Sequence, residues 1–282
     1  MPTLKEIKGR IASVRSTLKI TSAMKLVASA KLRKAQRAIE AMRPYAAQLQ
    51  RLLALAGGEV SAAPALAEAS GGPTAIVALA SNSSLCGGFN AAVIAKVRAI
   101  RQPADTVFSV GRKMGDAMRL DGFPSPEDFS ALAEHPSYAA AAALVSSLSE
   151  AVSAGRFSRV LVVYNHFVST SRQTPTVETL LDGASSFPSV AGTSAPEAEA
   201  FLFEPSRAEL LAALGPKVRN LRLYQALLDS AAAEHAARTV AMQTATDNGE
   251  NLLRELTLQY NKGRQQKITS EILDLAAGQA VD

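Results

Sequence analysis

A regular spacing of apolar residues at both ends of the chain limits its possible folds more than any other feature. Within residues 3–56, apolar or small side chains recur at alternating intervals of three and four, as in the seam of a two-stranded coiled coil. These positions are Leu4, Ile7, Ile11, Val14, Leu18, Ala28, Leu32, Ala35, Ile39, Met42, Ala46, Leu49 and Leu53. A comparable register near the other end comprises Val218, Leu221, Leu228, Ala232, Met242, Leu253 and Leu256. Neither helix can bury its stripe alone, so we predict an antiparallel rod built from both ends of the chain.

The boundaries of the two long helices are indicated by capping and breaking residues. Thr3 followed by Glu6 matches a capping box at the start of the first helix, and the glycine pair at 57–58 is a stop signal. Gly215 and Pro216 should break or kink the chain, so the second long helix is predicted from about 217 to 277.

The middle of the chain has a different periodicity and predicts a small α/β domain inserted into the rod. Short apolar runs bounded by turn residues are typical of buried strands. The predicted strands cover 75–80, 106–110, 160–164 and 174–181, and helical patterns cover 90–101, 112–120 and 137–154. Alternating strands and helices favour a layered α/β fold. The chain is thus divided into an N-terminal coiled-coil helix at 1–57, a connector at 58–73, an α/β domain at 74–204 and a C-terminal coiled-coil helix at 205–282.

Charge is distributed unevenly along the chain. The formal net charge is +5, but residues 1–56 hold 12 Lys and Arg residues against only Glu6 and Glu40. The first helix is therefore strongly basic, and a partner beyond the second helix should present carboxylates or phosphates.

Composition also bears on compartment and membrane attachment. Cys86 is the only cysteine, so no intrachain disulfide can form and a reducing compartment is expected. No apolar run reaches the roughly 18 residues of a membrane span. Because the helical pattern starts directly after Met1, no targeting peptide is expected. We predict that any membrane association occurs only through partners.

The coiled-coil register fails at two places, and both leave an apolar stripe without an evident partner. Thr21 and Lys25 occupy seam positions of the first helix, whereas Ile20, Met24 and Val27 form a stripe on another face. This pattern fits a surface that grips a partner, or alternatively an irregular coiled coil with a few exposed apolar groups.

The second failure lies near the C-terminus. Beyond Leu256 the seam reaches Gly263, while Ile268, Ile272 and Leu275 form a separate stripe. We predict that this tip outlasts its partner helix and packs against something else. The alternative is a tip that frays in solvent.

No constellation of residues predicts catalysis or cofactor binding. Leu85–Asn90 lies between a predicted strand and helix but lacks the spacing of a phosphate-binding loop, so a tight glycine-dependent turn is favoured. His135, His166 and His235 lack metal-ligand spacing. Gly249, within a helical run, is expected to allow close helix approach. Of three alternatives, a nucleic-acid-binding coiled coil, an enzyme in the α/β insert and a shaft held in a larger assembly, the misplaced stripes favour the shaft.

Several sequence blocks are distinctive when taken together. They are Arg10–Val14, Lys19–Ala28, Leu85–Asn90, Tyr164–Ser169, Arg238–Met242, Ala245–Gly249 and Leu256–Thr269. Through these blocks the chain resembles, over essentially its whole length, the gamma subunits of bacterial F-type ATP synthases.

The resemblance implies an architecture and a function. Antiparallel terminal helices would carry a Rossmann-like central domain. The coiled-coil tip would sit inside a ring of three alpha and three beta subunits, and the foot would rest on the c-subunit ring beside the epsilon subunit. Proton flow would turn ring and shaft, driving the beta subunits through ATP synthesis or hydrolysis. The chain itself would be non-catalytic and cofactor-free, without nucleic acid, and peripheral at the cytoplasmic side of the cell inner membrane.

The resemblance also implies individual contact residues. Those matching contacts with the beta subunit are Met24, Arg238, Arg264, Gln265 and Thr269, and those matching the foot near the c ring and epsilon are Phe201, Phe203 and Glu204. Two departures from the family pattern stand out. Asn82-Ser83-Ser84 replaces the usual acidic-Arg-Gly triplet before the Leu-Cys-Gly-Gly turn, and the phenylalanines of the foot stand where tyrosine is often found.

Overall fold

Along the chain, one long helix precedes and another follows a region that forms a four-stranded sheet and shorter helices. The computed structural model describes residues 3–56, 72–182, 203–204 and 206–279, with side chains as far as residue 273. Its elements are α1 (Leu4–Leu55), β1 (Thr74–Leu79), α2 (Phe89–Ile100), β2 (Thr106–Val110), α3 (Arg112–Leu120), α4 (Ser130–Glu134), α5 (Tyr138–Ser153), β3 (Arg159–Phe167), β4 (Gln173–Asp182) and α6 (Arg207–Gln279). The predicted combination of long terminal helices and an α/β sheet is confirmed. Most of the predicted connector lies outside the described residues.

The chain forms two compact units. The first comprises Met1–Ala28 and Thr239–Asp282, and the second comprises Ser29–Arg238. The second unit contains the sheet, whose strand order is β2-β1-β3-β4. β1 runs parallel to β2 and β3, whereas β4 is antiparallel to β3.

The sheet is buried on both faces, which explains why its central strands read as continuous apolar runs. All six residues of β1 are buried, and they alternate between two clusters. On one side Ala75, Val77 and Leu79 pack with residues of α5 and α6. On the other side Ile76 and Ala78 pack with residues of α2 and α3. The sheet of the second unit is therefore the middle of three layers.

The terminal helices pair in opposite directions within the second unit. One cluster joins Leu49 and Leu53 of α1 to Leu214 and Val218 of α6. Another, nearer the start of α1, joins Leu32 and Ala35 to Ala232 and Ala236. Later residues of α1 thus pack against earlier residues of α6. The predicted antiparallel pairing is therefore confirmed in this unit.

The first unit shows the same antiparallel arrangement. Gly263 lies against Leu4, Gly249 against Leu18, and Thr246 against Thr21. The expected close approach at Gly249 is confirmed, since a Cβ added there would lie 2.7 Å from Leu18 Cδ2.

The predicted capping box is also present in the first unit. The backbone N–H of Thr3 donates to Glu6 Oε2 at 2.8 Å, and the N–H of Glu6 donates to Thr3 Oγ1 at 3.3 Å. These two bonds satisfy amide groups that a helix start otherwise leaves without partners.

The sequence predicts a break or a kink at Gly215-Pro216, with the second long helix starting at about 217; the break and this start are wrong. α6 begins at Arg207, two residues inside the predicted C-terminal segment, and continues through Pro216. Proline removes one helical hydrogen bond, but Leu214 and Val218 on either side are buried against α1. The packing of Leu214 and Val218 against α1 outweighs the hydrogen bond that the helix loses at Pro216. α1 likewise contains Pro44.

Candidate partner-binding surfaces

The polar residues in the seam of α1 are matched by polar residues of α6 in the same unit. Thr21 is buried, and its hydroxyl lies 3.0 Å from that of Thr246, which also donates to the carbonyl of Met242. Lys25 Nζ donates to Gln243 Oε1 at 2.9 Å. Buried hydroxyls remain in a helix interface when they are hydrogen-bonded in this way. The seam is therefore satisfied without the apolar residues beside it.

Those apolar residues of α1 are exposed. Ile20 and Val27 are 59% and 58% exposed, and Leu26, which the sequence pattern did not single out, is 68% exposed. Met24 lies among them and is half-buried. A contiguous exposed stripe of this kind marks an interaction surface more often than scattered single residues do.

Near Gly263, α6 reaches the described start of α1, and there Gln266 and Lys267 still line a cavity with Leu4 and Ile7. Gly263 faces Leu4, the first residue of α1. Beyond it Arg264, Gln265 and Thr269 are all exposed, and the Thr269 hydroxyl donates to the carbonyl of Gln265 at 2.9 Å. The helix here presents its polar groups outward, as the predicted partner contacts require.

An apolar stripe accompanies these polar groups. Ile268, Ile272 and Leu273 are exposed, as is Leu258 before them. Leu275, which belongs to the predicted stripe, lies outside the described side chains. The prediction of a second uncovered apolar stripe is confirmed for the residues described, whereas the partner that would cover it stays a prediction.

Arg238 differs from the other predicted contact residues because its guanidinium is satisfied within the second unit. Its Nη1 lies 2.5 Å from Glu234 Oε1, and its Nη2 donates to Ser83 Oγ at 2.8 Å and to the Ser84 carbonyl at 3.4 Å. The side chain is 11% exposed. Its contact with a beta subunit is a prediction that these distances do not test.

The Leu85–Asn90 segment is a tight turn between β1 and α2, as expected. Leu85 and Gly87 adopt left-handed conformations, with φ of 66° and 58°. Cys86 is buried, and Asn90 Nδ2 donates both to its sulfur at 3.2 Å and to Ser81 Oγ at 2.8 Å. The turn is thus filled by its own side chains.

The neighbouring turn after β2 depends on a glycine. Gly111 has φ of 97°, and a Cβ there would lie 2.2 Å from the carbonyl oxygen of Ala80. Only glycine fits such a close approach of two backbones. The same turn is tied to Asn82, whose Oδ1 accepts a hydrogen bond from the N–H of Arg112 at 3.0 Å.

The histidines have separate structural surroundings. Burial, followed by the charges of Arg238 and Lys31, lowers the pKa of His235 to about 4. His166 Nδ1 contacts Asp229 Oδ2, and burial raises the pKa of that carboxyl despite the imidazole. No group of three potential metal ligands occurs among the residues the structure describes.

The foot is described only in part. Phe201 lies outside the described residues, whereas Phe203 is half-buried and Glu204 is exposed. The guanidinium of Arg207 stacks on the Phe203 ring, 4.7 Å from its centroid. Such cation–π contacts fix the ring without a hydroxyl. Among the described residues, no helix combines the length and the apolar character that a membrane span requires.

Three kinds of comparison place the chain among known proteins. A family model described as ATP synthase matches residues 3–281. The ATP synthase gamma chain of Phocaeicola vulgatus is 44% identical over 99% of both chains, and that of Granulibacter bethesdensis is 38% identical over 99% of both. Among solved structures, a chain of the Euglena gracilis mitochondrial ATP synthase is similar in fold, with a TM-score of 0.69, 18% identity and coverage of 99% of this chain and 94% of that one. The protein therefore belongs to the family of ATP synthase gamma chains.

Proposed function

We propose that this chain is the central rotor shaft of a bacterial F-type ATP synthase. The observation that carries the proposal is the satisfied polar seam of the first unit beside an uncovered apolar stripe. A helix pair that needed nothing else would place Ile20 and Val27 in its seam rather than in water. The stripe instead favours a collar of other subunits around this part of the chain.

The proposed partners are three alpha and three beta subunits, the epsilon subunit and the c-subunit ring. The similar Euglena gracilis chain belongs to a cryo-EM structure of OSCP, F1 and c-ring, and a similar Tetrahymena thermophila structure is a central stalk with its c-ring. In this proposal the ring turns with proton flow, and the turning shaft drives the beta subunits through ATP synthesis or hydrolysis. Attachment to the cytoplasmic side of the cell inner membrane then comes through these partners.

The chain is proposed to have no catalytic role of its own. The turn at Leu85–Asn90, which lies between a strand and a helix as nucleotide loops do, is occupied by its own side chains. Its thiol is buried against Asn90 and Ser81, which leaves no open cradle for a phosphate in this turn. ATP hydrolysis would belong to the beta subunits, and no cofactor or nucleic acid is needed.

The tip of α6 supplies the proposed contacts with the beta subunits. Arg264, Gln265 and Thr269 are exposed on the part of α6 that follows Gly263. A planar guanidinium suits carboxylates that approach and leave as the shaft turns. Met24 in the exposed stripe of α1 is proposed to face the same subunits, because a flexible thioether adapts to a changing surface.

The foot is proposed to rest on the c ring and the epsilon subunit. Glu204 is exposed there, and the stacking of Arg207 holds the Phe203 ring in a defined position. Phe201, for which the structure gives no contacts, is included on the resemblance alone.

The test is reconstitution of this chain with alpha, beta and epsilon subunits from the same source. Arg264→Ala or Gln265→Ala should lower ATP turnover by about tenfold to a hundredfold while leaving assembly intact, because loss of one charge-assisted contact costs about 1.5–3 kcal/mol. Arg119→Ala is the matched control, since Arg119 is an exposed arginine of α3. Turnover equal to the unaltered complex in both tip variants would remove the contact assignment.

The same preparation separates the proposed function from its alternatives. The isolated chain should neither hydrolyse ATP nor bind DNA tightly at physiological salt. Failure to assemble with the other subunits, combined with nanomolar sequence-selective DNA binding, would replace the rotor with a nucleic-acid-binding protein.

A further inference from the structure

We infer that Arg238 is a positioning residue, which acts through the loop 81–88 rather than by touching a partner subunit. Together with Ser83 and Glu234 it forms a clamp that holds this loop, between β1 and α2, against α6. The inference concerns the second unit alone. Its consequence for turnover rests on the proposed function.

The guanidinium of Arg238 is committed on two sides. Nη1 pairs with Glu234 one turn earlier on α6, and Nη2 donates to the Ser83 hydroxyl and the Ser84 carbonyl. Both charged side chains are nearly buried, at 11% and 12% exposure. Removing one member of a buried ion pair is costly because the other charge is left without compensation. A partner carboxylate would therefore have to displace contacts that are already made.

The loop lies on the solvent side of this contact. Ser83 and Ser84 are exposed, whereas Arg238 beneath them is 9% exposed. Closer to α2 the loop rests on α6 by packing, because Cys86 and Phe89 form a buried cluster with Ala233 and Ala237. The clamp thus adds a polar attachment where that apolar contact ends.

The conformation of the loop requires such an attachment. Leu85 follows the clamped serines, has φ of 66° and is 58% exposed. A left-handed leucine costs free energy and persists only where its surroundings fix it. Since its side chain is exposed, packing of the leucine does not supply that restraint. The restraint comes from its neighbours: Arg238 donates to the Ser84 carbonyl at 3.4 Å, and the Ser81 hydroxyl donates to the Ser83 carbonyl at 2.6 Å.

Other contacts fix the two ends of the loop independently of Arg238. Asn82 Nδ2 donates to the Ser130 carbonyl at 2.9 Å. At the far end, Asn165 Nδ2 donates to the Phe89 carbonyl at 2.9 Å. Within the loop, the Ser81 hydroxyl also donates to the Ser83 carbonyl at 2.6 Å. Release of the clamp should therefore loosen the attachment of the loop to α6 without unfolding the strand or the helix that the loop connects.

The thiol of Cys86 provides a direct measure of this local opening. Cys86 is 1% exposed, and its sulfur accepts from Asn90 at 3.2 Å, so a thiol reagent reacts only when the loop opens. In the full-length chain, Ser83→Ala should raise the labelling rate of Cys86 by about tenfold to a hundredfold, since it removes one hydrogen bond to a charged group. Ser149→Ala, which removes a hydroxyl from α5 that donates to a backbone carbonyl, should leave the rate unchanged.

The urea dependence of labelling separates loop opening from general destabilisation. A local opening exposes little surface, so the rate should be nearly flat at low urea, whereas global unfolding gives a steep dependence. Arg238→Lys should also raise the labelling rate of Cys86 at low urea. In the double variant, Ser83→Ala should raise this rate little further. Labelling of the Ser83→Ala variant that equals the Ser149→Ala control, or that rises steeply with urea, would overturn the clamp.

Turnover of the reconstituted complex then tests the route of action. If Arg238 acts through the loop, Ser83→Ala and Arg238→Lys should lower turnover by similar factors, and the double variant should be no worse. A loss with Arg238→Lys but normal turnover with Ser83→Ala would mean that the arginine contacts a partner directly. The proposed function fails on different grounds, by non-assembly or by normal turnover of the tip variants, and the labelling result stands in either case.

Discussion

Gly249 is the position at which the pairing of α1 and α6 in the first unit can be tested most directly. Replacing it with alanine adds one methyl group in the middle of a long helix. A Cβ there would lie 2.7 Å from Leu18 Cδ2 and 3.3 Å from Leu18 Cγ. Real side chains do not approach that closely, so the leucine or the helix has to move.

Two effects of opposite sign set the size of the change. Alanine is favoured over glycine in a helix interior by about 1 kcal/mol. Forcing a methyl group into a filled interface costs about 1–3 kcal/mol. We therefore expect Gly249→Ala to lower the local free energy of unfolding by up to about 2 kcal/mol. In a Leu18→Ala background the clash disappears, and the same change should raise it by about 1 kcal/mol.

Native-state hydrogen exchange of the full-length chain measures this free energy in the first unit, at amides of α1 near Leu18 and of α6 near Gly249. Gly9→Ala is the matched control because nothing lies within 4 Å of a Cβ at Gly9. In that control variant, helix propensity alone should raise the local free energy of unfolding by about 1 kcal/mol. A Gly249→Ala variant that gains as much as Gly9→Ala would show that the close approach at Leu18 is absent.

Two further predictions concern α6. Because the pKa of His235 is lowered to about 4 from about 6.5 in an unfolded chain, the unfolded state binds more protons between these values, and stability should fall by roughly 3 kcal/mol as pH drops from 7 to 4. His235→Gln should remove that slope in urea titrations at several pH values, and an unchanged slope would assign it to other groups. Pro216→Ala should raise stability by about 1–3 kcal/mol, since Pro216 is exposed and its replacement restores a helical hydrogen bond. A lower unfolding midpoint for that variant would mean that proline shapes the start of α6.

The sequence was sufficient to predict features that depend on a repeating pattern. The period of three and four predicted both long helices and their antiparallel pairing, because an apolar stripe must be covered. The continuous apolar runs predicted β1 and β3 for the same reason. The capping box at Thr3 and the close approach at Gly249 followed from single residues whose physical roles are narrow.

Features that depend on contacts distant in sequence were not predictable. The start of α6 was misplaced because Pro216 was weighed by local propensity, whereas burial of Leu214 and Val218 decides the outcome. The short helix α4 has no period long enough to detect. Likewise the bond between Ser83 and Arg238 joins residues far apart in the chain.

The candidate contact surfaces were predicted in part. The register failure indicated Ile20 and Val27 correctly, but Leu26 and Leu258 carry no sequence signal beyond being apolar off the seam. Arg264 lies just beyond Gly263, which pairs with Leu4 at the start of α1. The coiled-coil register of the sequence can approximate where that pairing stops. Which subunit meets each residue depends on surfaces that belong to other chains.

The pairing of Leu4 with Gly263 has a consequence for biosynthesis. Leu4 is translated long before Gly263, so α1 leaves the ribosome well before the part of α6 with which it pairs. At roughly 5–20 residues per second, the interval is about 13–50 s. During that interval the apolar stripe of the strongly basic helix α1 is exposed to solvent. We expect nascent chains to depend on a chaperone that shields this segment until translation ends.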